Sequence, residues 1–198
     1  MKNSIIFLSL FFVFSFDLWA YNENTVIQAA QRVGIPQNQI NKVTGYINKY
    51  FGSIPNKNYI AFVDFSKPST EHRGFLIQTD TGSTQSFLVS HGVRSGGLYA
   101  ERFSNIQGSN MSSLGLYFVK QTYSGHNGYS VRVSGLESSN SNVEARTIVI
   151  HPADYASDQY IQAHGMLGVS EGCFAIDRAV SKTLIDKVKN GSLWLAFN

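Results

Sequence analysis

Residues 146–176 read RTIVIHPADYASDQYIQAHGMLGVSEGCFAI. The β-branched run Thr147–Ile150 predicts a buried strand that ends at His151. We interpret the residues between that histidine and Ser170 as a loop rich in glycine and polar side chains. The segment therefore predicts one strand and one long connection that together bring a histidine towards Cys173.

Cys173 is the only cysteine in the chain. A thiolate, rather than a thiol, attacks carbonyl carbon, and an imidazole such as that of His151 can take the proton. Gly172 has no Cβ, so the backbone beside the thiol can turn sharply, and backbone N–H groups of Gly172 and Cys173 could hold an oxyanion. Residue types alone leave a second interpretation open, in which Cys173 is a small core residue and His151 is structural.

The rest of the chain predicts further short strands and a few helices. Helical spacing of apolar residues favours two helices within Asn24–Tyr50, broken at Gly34-Ile35-Pro36. Strands are predicted over the following ranges, with a helix at 180–188: 59–65, 74–78, 86–90, 114–121, 129–133 and 192–197. His126 lies in the predicted turn between two of these strands. This order predicts a mainly antiparallel β domain with N-terminal helices and a short C-terminal helix.

The first twenty residues predict a signal peptide. Lys2 precedes the uncharged stretch Ile5–Phe16, and Ala20 is a small residue at a plausible cleavage point. We therefore predict an exported protein of the periplasm or cell envelope, without stable membrane insertion after cleavage. The predicted division is a signal peptide at 1–20, an N-terminal helical segment at 21–58 and a catalytic domain at 59–198.

The net charge is +3 at pH 7, and lysine and arginine residues form no cluster. This mild charge is compatible with an anionic wall or membrane surface, and it does not indicate nucleic-acid binding. The sequence contains no repeat, and it does not define an oligomeric state.

Six blocks of sequence, in order, resemble the L,D-transpeptidases of bacterial peptidoglycan, and specifically the murein L,D-transpeptidase catalytic domain branch. The motif Ser170-Glu171-Gly172-Cys173, with His151 placed 22 positions before the cysteine, matches the family pattern of a histidine, a spacer and S-x-G-C. The blocks are VDFSKPS (63–69), LVSHG (88–92), FSNIQGSNMSSLG (103–115), GYSVRVSGLE (128–137), RTIVIHPADY (146–155) and LGVSEGCFAI (167–176).

This resemblance implies an L,D-transpeptidase-like antiparallel β-sandwich that acts on peptidoglycan stem peptides without a metal or organic cofactor. Cys173 would be the nucleophile and His151 the general base, and a thioester would form as terminal D-alanine leaves. Gly172 and Cys173 would donate to the oxyanion, and Ser170 would support the site by hydrogen bonding. Water or an amine would then resolve the thioester.

Four residues are expected to contact substrate. His91 and Gly92 align with the strand end that borders the donor pocket in this family, and we expect His91 to line the cleft. Tyr155 is a candidate hydrogen-bonding residue, although core packing is an equal alternative. Glu171 stands where many relatives carry histidine or an aromatic residue; it would raise the pKa of the thiol if it pointed inward, or bind a free amine of the donor.

Two further departures from the family pattern concern residues beside the catalytic pair. Pro152 replaces the usual glycine or serine after the histidine and has no N–H to donate. Ala175 stands where better-known members carry arginine.

Alternatives remain open at this level. His164 could be the base instead of His151, and Asp154 could orient His151. A zinc peptidase would use His91, His151 and His164 with Asp154, although no H-E-x-x-H motif is present. A non-catalytic wall-binding domain with a disabled site would account for Glu171 and Pro152.

Overall fold

The computed structural model describes residues 21–198, so the predicted signal peptide lies outside the described residues. The helices are α1 (Glu23–Arg32), α2 (Gln37–Tyr50), α3 (Asp158–His164) and α4 (Arg178–Val188). The strands are β1 (Tyr59–Asp64), β2 (Gly74–Gln78), β3 (Thr84–Phe87), β4 (Val89–Ser90), β5 (Gly115–Gly125), β6 (Gly128–Gly135), β7 (Val149–Ala153), β8 (Phe174–Asp177) and β9 (Leu193–Phe197).

The strands form a single mixed sheet in the order β3-β2-β1-β9-β5-β6-β7-β8-β4. The two edge strands, β3 and β4, are separated in the chain by Leu88 alone, so the sheet must fold over on itself. The rings of Phe174 on β8 and Trp194 on β9 lie 5.4 Å apart, although three strands separate β8 from β9 in the sheet. A flat sheet would place these strands roughly 19 Å apart. The predicted mainly β sandwich is therefore confirmed.

Two strand pairs differ from the antiparallel expectation. β1 pairs in parallel with β9, and β7 pairs in parallel with β8. The predicted single strand at 86–90 is also wrong, because Phe87 pairs with β2 whereas Val89 and Ser90 pair with β8. A continuous apolar run in sequence does not reveal that its halves belong to opposite edges of a closed sheet.

The predicted loop between His151 and Ser170 contains a helix, α3. The Ser157 hydroxyl accepts a hydrogen bond from the N–H of Tyr160, and Gly165 ends the helix in the left-handed conformation. None of its residues is buried. Because α3 has no buried face, it lacks the apolar periodicity from which a helix is predicted.

The two N-terminal helices occur close to where apolar spacing predicts them, on either side of the predicted break at Gly34-Ile35-Pro36. They pack on the outer face of the sheet, where Val26, Ile40 and Ile47 share a core with Phe62 and Leu195. The inner face forms a second core to which all nine strands and α4 contribute. Among residues 21–198, no helix has both the length and the apolar character needed to cross a bilayer.

Candidate active site

The parallel pairing of β7 with β8 brings the two predicted catalytic residues together. His151 on β7 lies opposite Ala175 on β8, and Cys173 precedes β8 by one residue. Side chains two residues apart on a strand project from the same face. Cys173 is therefore a diagonal neighbour of His151 across the pair.

His151 and Cys173 line a common cavity of about 600 Å³, which we call the His151 cavity. Its walls come from the hairpin turn between β5 and β6, the loop after β4, strand β7, and the segment from Tyr155 to Cys173. The lining residues are Val93, His126, Asn127, His151, Tyr155, Val169, Ser170, Glu171 and Cys173. The fold thus gathers the predicted nucleophile and the predicted base at an open concave site.

A backbone contact sets the tautomer of His151. Its Nδ1 lies 3.0 Å from the carbonyl oxygen of Pro152. A carbonyl oxygen can only accept, so Nδ1 carries the hydrogen and Nε2 is left as the acceptor. Burial lowers the pKa of His151; the Pro152 carbonyl opposes that shift, and the Arg178 charge adds to it. The ring is therefore held neutral, in the form that can take a proton.

The Cys173 thiol is partly buried, and its Sγ lies 3.8 Å from the carbonyl oxygen of Thr147. Burial raises the pKa of this thiol above its usual value. The backbone of Val149 and the charge of Arg146 lower it, and the Glu171 charge raises it further. The free site accordingly holds a neutral thiol beside a neutral imidazole.

Ser170 braces the turn that carries the cysteine. Its hydroxyl lies 2.8 Å from the carbonyl oxygen of Cys173, and it accepts the N–H of Gly172 at 3.1 Å. This differs from the expectation for Gly172, because an N–H engaged by Ser170 is not directed at a substrate oxyanion. The hydrogen bond from the Gly172 N–H depends on the orientation of the Ser170 side chain. Spacing in the sequence does not predict that orientation.

The backbone conformation and close packing at position 172 require a glycine. Its φ of +112° lies where side chains are rarely tolerated, and a Cβ there would come within 2.7 Å of the carbonyl oxygen of Met111. The same Cβ would lie 3.0 Å from Nη2 of Arg146. The close approach of the Met111 segment therefore depends on the missing side chain.

His91 and Gly92 lie behind the site rather than in it. His91 is 1% exposed; its Nδ1 lies 2.8 Å from Nη2 of the buried Arg73, and its Nε2 lies 3.2 Å from the carbonyl oxygen of Gly96. Burial and the Arg73 charge lower the pKa of His91 to about 4. Gly92 bridges to Ser170 and is also buried. Contrary to expectation, neither residue lines the His151 cavity, and Val93 lines it instead.

The other predicted residues divide between the site and its surroundings. Tyr155 lines the His151 cavity, and burial, with the Cys173 and Glu171 charges, raises the pKa of its hydroxyl to about 12. Glu171 is exposed on the same wall. Asp154 pairs with Arg178 at 2.7 Å, and the ring of His164 stacks on Tyr160 at 3.9 Å.

The pairings of Asp154 and His164 do not support the alternatives in which Asp154 orients His151 or His164 is the base. Pro152, not Asp154, holds the His151 ring, and His164 lines a different cavity from Cys173. Among residues 21–198, no three histidine, cysteine, aspartate or glutamate side chains are grouped as a metal site requires. The zinc alternative therefore lacks a ligand set in this part of the chain.

A second cavity, of about 430 Å³, meets the first at Cys173 and Glu171. We call it the Arg146 cavity; its lining residues are Gln107, Gly108, Asn110, Ala145, Arg146, Thr147, Glu171 and Cys173. Sequence reasoning missed Arg146, whose only sequence signal is its place just before the strand that leads to His151. The sequence places His126 in a predicted turn without a role in the site, and the structure shows it exposed in the turn between β5 and β6, where it lines the His151 cavity.

Comparison with known sequences gives one family. The model described as L,D-transpeptidase catalytic domain matches residues 31–197. The match includes both cavities and most of the N-terminal helical segment. No curated protein sequence matches this chain.

Solved L,D-transpeptidase structures are similar to this chain at low identity. The enzyme from Mycobacterium smegmatis is 12% identical, with a TM-score of 0.44, over 71% of this chain and 59% of the other. L,D-transpeptidase 3 from Mycobacterium tuberculosis is 13% identical, with a TM-score of 0.44, over 71% and 61%. The helical cell shape determining protein Pgp2 from Campylobacter jejuni is 10% identical, with a TM-score of 0.46, over 81% and 56%. This chain therefore spans less than two thirds of each of these proteins.

Proposed function

The chain belongs to the L,D-transpeptidase catalytic domain family, and from that premise we propose that it catalyses cysteine-dependent acyl transfer on peptidoglycan stem peptides. The observation that carries the proposal is the shared cavity of Cys173 and His151, in which the imidazole is buried and held with Nε2 free to accept a proton. Nucleophile and base within one concave site are the parts that acyl transfer through a thioester needs.

In the first half-reaction, Nε2 of His151 takes the proton of Cys173 as sulfur attacks the carbonyl carbon before the terminal D-alanine. The carbon–nitrogen bond breaks, and the protonated His151 returns that proton to the leaving amine. A thioester remains on Cys173. In the second half-reaction, an amine or water attacks the thioester, the carbon–sulfur bond breaks, and the thiol is restored.

Two cavities that meet at the thiol support a reaction with two bound components. The His151 cavity and the Arg146 cavity share Cys173 in their walls. A binding domain without chemistry would not need a nucleophile at the junction of two cavities. We further propose that the protein acts at the cell envelope, where this substrate is found.

The decisive experiment incubates the purified protein with a disaccharide-tetrapeptide and follows free D-alanine and the intact protein mass. We expect D-alanine release, with a transient mass increase equal to the acyl chain. Cys173→Ala should abolish both, whereas a chelator should change neither. The product mass separates cross-linking from trimming.

Matched histidine variants test the base. His151→Gln should abolish release, whereas His164→Gln should leave it unchanged, because His164 does not share a cavity with Cys173. Tight binding to wall fragments with no release by the wild-type protein would reject the enzyme and favour a wall-binding domain.

A further inference from the structure

Arg146 has unused donors at the wall of the Arg146 cavity. Its Nη1 donates to the carbonyl oxygen of Ser104 at 2.7 Å and to Oγ of Ser113 at 2.5 Å, and Nη2 donates to the carbonyl oxygen of Met111 at 2.5 Å. A guanidinium has five N–H donors, so Nε and the second N–H of Nη2 remain without a partner among the described residues. These three bonds fix the guanidinium in place and leave two of its N–H groups available to a ligand.

The Arg146 charge is also uncompensated. Within the described residues, no carboxylate oxygen comes within 4.0 Å of its guanidinium, in contrast to Arg178, which pairs with Asp154. Arg146 is only partly exposed, and burial lowers its pKa. A fixed, partly desolvated guanidinium without an anion is suited to bind a carboxylate.

Glu171 contributes the opposite charge to the same cavity. It lies on the wall common to both cavities, is exposed and forms no ion pair with Arg146. One cavity thus presents a separate cation and anion beside the thiol. That combination matches a ligand with both a carboxylate and an ammonium group.

The proposed reaction releases such a ligand, because D-alanine carries both a carboxylate and an ammonium group once its amide bond is cleaved. In a tetrapeptide donor, the scissile nitrogen belongs to a terminal amino acid whose carboxylate carbon is two bonds away from that nitrogen. When the donor carbonyl sits at Sγ of Cys173, this carboxylate must lie close to the thiol. Arg146 lines the cavity that opens at the same sulfur.

We propose that the Arg146 cavity binds the amine component of the reaction as an α-amino carboxylate, with Arg146 holding its carboxylate. This inference rests on the proposed function and adds the chemical class that the site selects. The donor's acyl chain then occupies the His151 cavity. Terminal D-alanine leaves from the Arg146 cavity after its nitrogen takes the proton from His151.

The entering amine uses the same cavity. Attack of an amine on the thioester is the reverse of amine departure, so the two share a path and a binding geometry. The attacking nitrogen forms its bond to carbon as the carbon–sulfur bond breaks, and its proton passes to His151. The preferred acceptors are therefore amines with a carboxylate on the adjacent carbon.

The test compares a disaccharide-tetrapeptide with the same donor carrying a terminal carboxamide. Both donors give the same shortened product, whose rate of formation yields kcat/KM. We expect the wild-type protein to prefer the free acid at least about tenfold, since hydrogen bonds to a charged group supply that much discrimination. Arg146→Gln should remove the preference by slowing the acid donor more than the carboxamide donor, because the effect of the lost charge on the Cys173 thiol is common to both donors. Arg146→Lys should retain part of the preference.

Two control variants separate recognition from loop support. Asn105→Ala removes hydrogen bonds that the Asn105 amide donates from the same loop to the Ser138 carbonyl and the Ser141 hydroxyl, without contacting Arg146. Arg32→Gln removes a guanidinium that donates to the Gly82 carbonyl from α1, on the other face of the sheet. Both should keep the wild-type preference.

Equal slowing of both donors by Arg146→Gln would overturn the inference and leave Arg146 as a structural brace. An unchanged preference in that variant would overturn it as well. If the wild-type protein released neither D-alanine nor D-alaninamide, the proposed function itself would fail, a result distinct from both.

Discussion

The N–H of Gly172 donates to the hydroxyl oxygen of Ser170 at 3.1 Å, and the same hydroxyl lies 2.8 Å from the carbonyl oxygen of Cys173. One side chain thereby closes the turn that carries Cys173. The relationship makes Ser170 a positioning residue whose loss should disturb the thiol without removing it.

Ser170→Ala is therefore expected to cost about 1–2 kcal/mol of unfolding free energy, because the hydrogen bonds of the Ser170 hydroxyl to Gly172 and Cys173 are lost. It should also reduce kcat/KM for D-alanine release by roughly tenfold or more, the effect of about 1.4 kcal/mol in the transition state. Thermal unfolding and the release assay measure the two quantities.

Ser192→Ala is the matched control, since the buried Ser192 hydroxyl donates to the Val188 carbonyl away from both cavities. It should show a similar loss of stability with unchanged kcat/KM. Equal activity in the two variants would contradict a positioning role for Ser170.

Gly172→Ala should destabilise the protein by roughly 2–5 kcal/mol, from backbone strain together with overpacking. The added Cβ would meet Met111 and the Nη2 end of Arg146. Gly34→Ala provides the comparison, because Gly34 also has positive φ but no atom within 4 Å of an added Cβ. That control should lose only about 1–2 kcal/mol, as measured by denaturant unfolding, and the prediction fails if the two losses are equal.

Local patterns were enough to predict the strand and the turn that bring His151 and Cys173 into one cavity. A β-branched run predicts the buried strand that carries His151, and the S-x-G-C turn directly precedes another apolar run. Both signals are contiguous in sequence. The strand order could not be predicted in the same way. The division of residues 84–90 between β3 and β4 depends on partners that only the closed sheet brings together.

The remainder of the site depends on tertiary contacts. Arg146 gains its role from the segment that includes Ser104, Met111 and Ser113, more than thirty positions away in sequence. His91 was expected in the cleft, yet Arg73 and Gly96 occupy both of its ring nitrogens. A histidine at a strand end has the same sequence signature whether its ring faces a cavity or a buried arginine.

His91 should make stability depend on pH. Its pKa falls from 6.5 when unfolded to about 4 when folded. Below pH 6.5 the unfolded chain therefore binds a proton that the folded chain does not, and stability decreases as pH falls towards 4. The loss from this residue is on the order of 3 kcal/mol.

Urea unfolding from pH 7 to pH 4 measures this slope. His91→Gln keeps an acceptor and a donor but cannot titrate, so its slope should be shallower than that of the wild-type protein. A residual slope is expected from His151, whose pKa is lowered as well. Parallel slopes in the variant and the wild type would refute the role of His91.

The charge states of Cys173 and His151 predict two pH profiles. Burial raises the pKa of the thiol and lowers that of the imidazole, so the free site is neutral near pH 7 and holds no thiolate–imidazolium pair. Alkylation of Cys173 by iodoacetamide should therefore be slower than that of free cysteine at pH 7, and its pH profile should have a midpoint above 9.0.

In the proposed mechanism the release of D-alanine requires neutral His151, so the acid limb of that reaction should have a midpoint below 6.5. His151→Gln should abolish release while leaving the alkylation profile nearly unchanged, and His164→Gln should affect neither. An alkylation plateau at neutral pH that disappears in His151→Gln would instead establish a preformed ion pair.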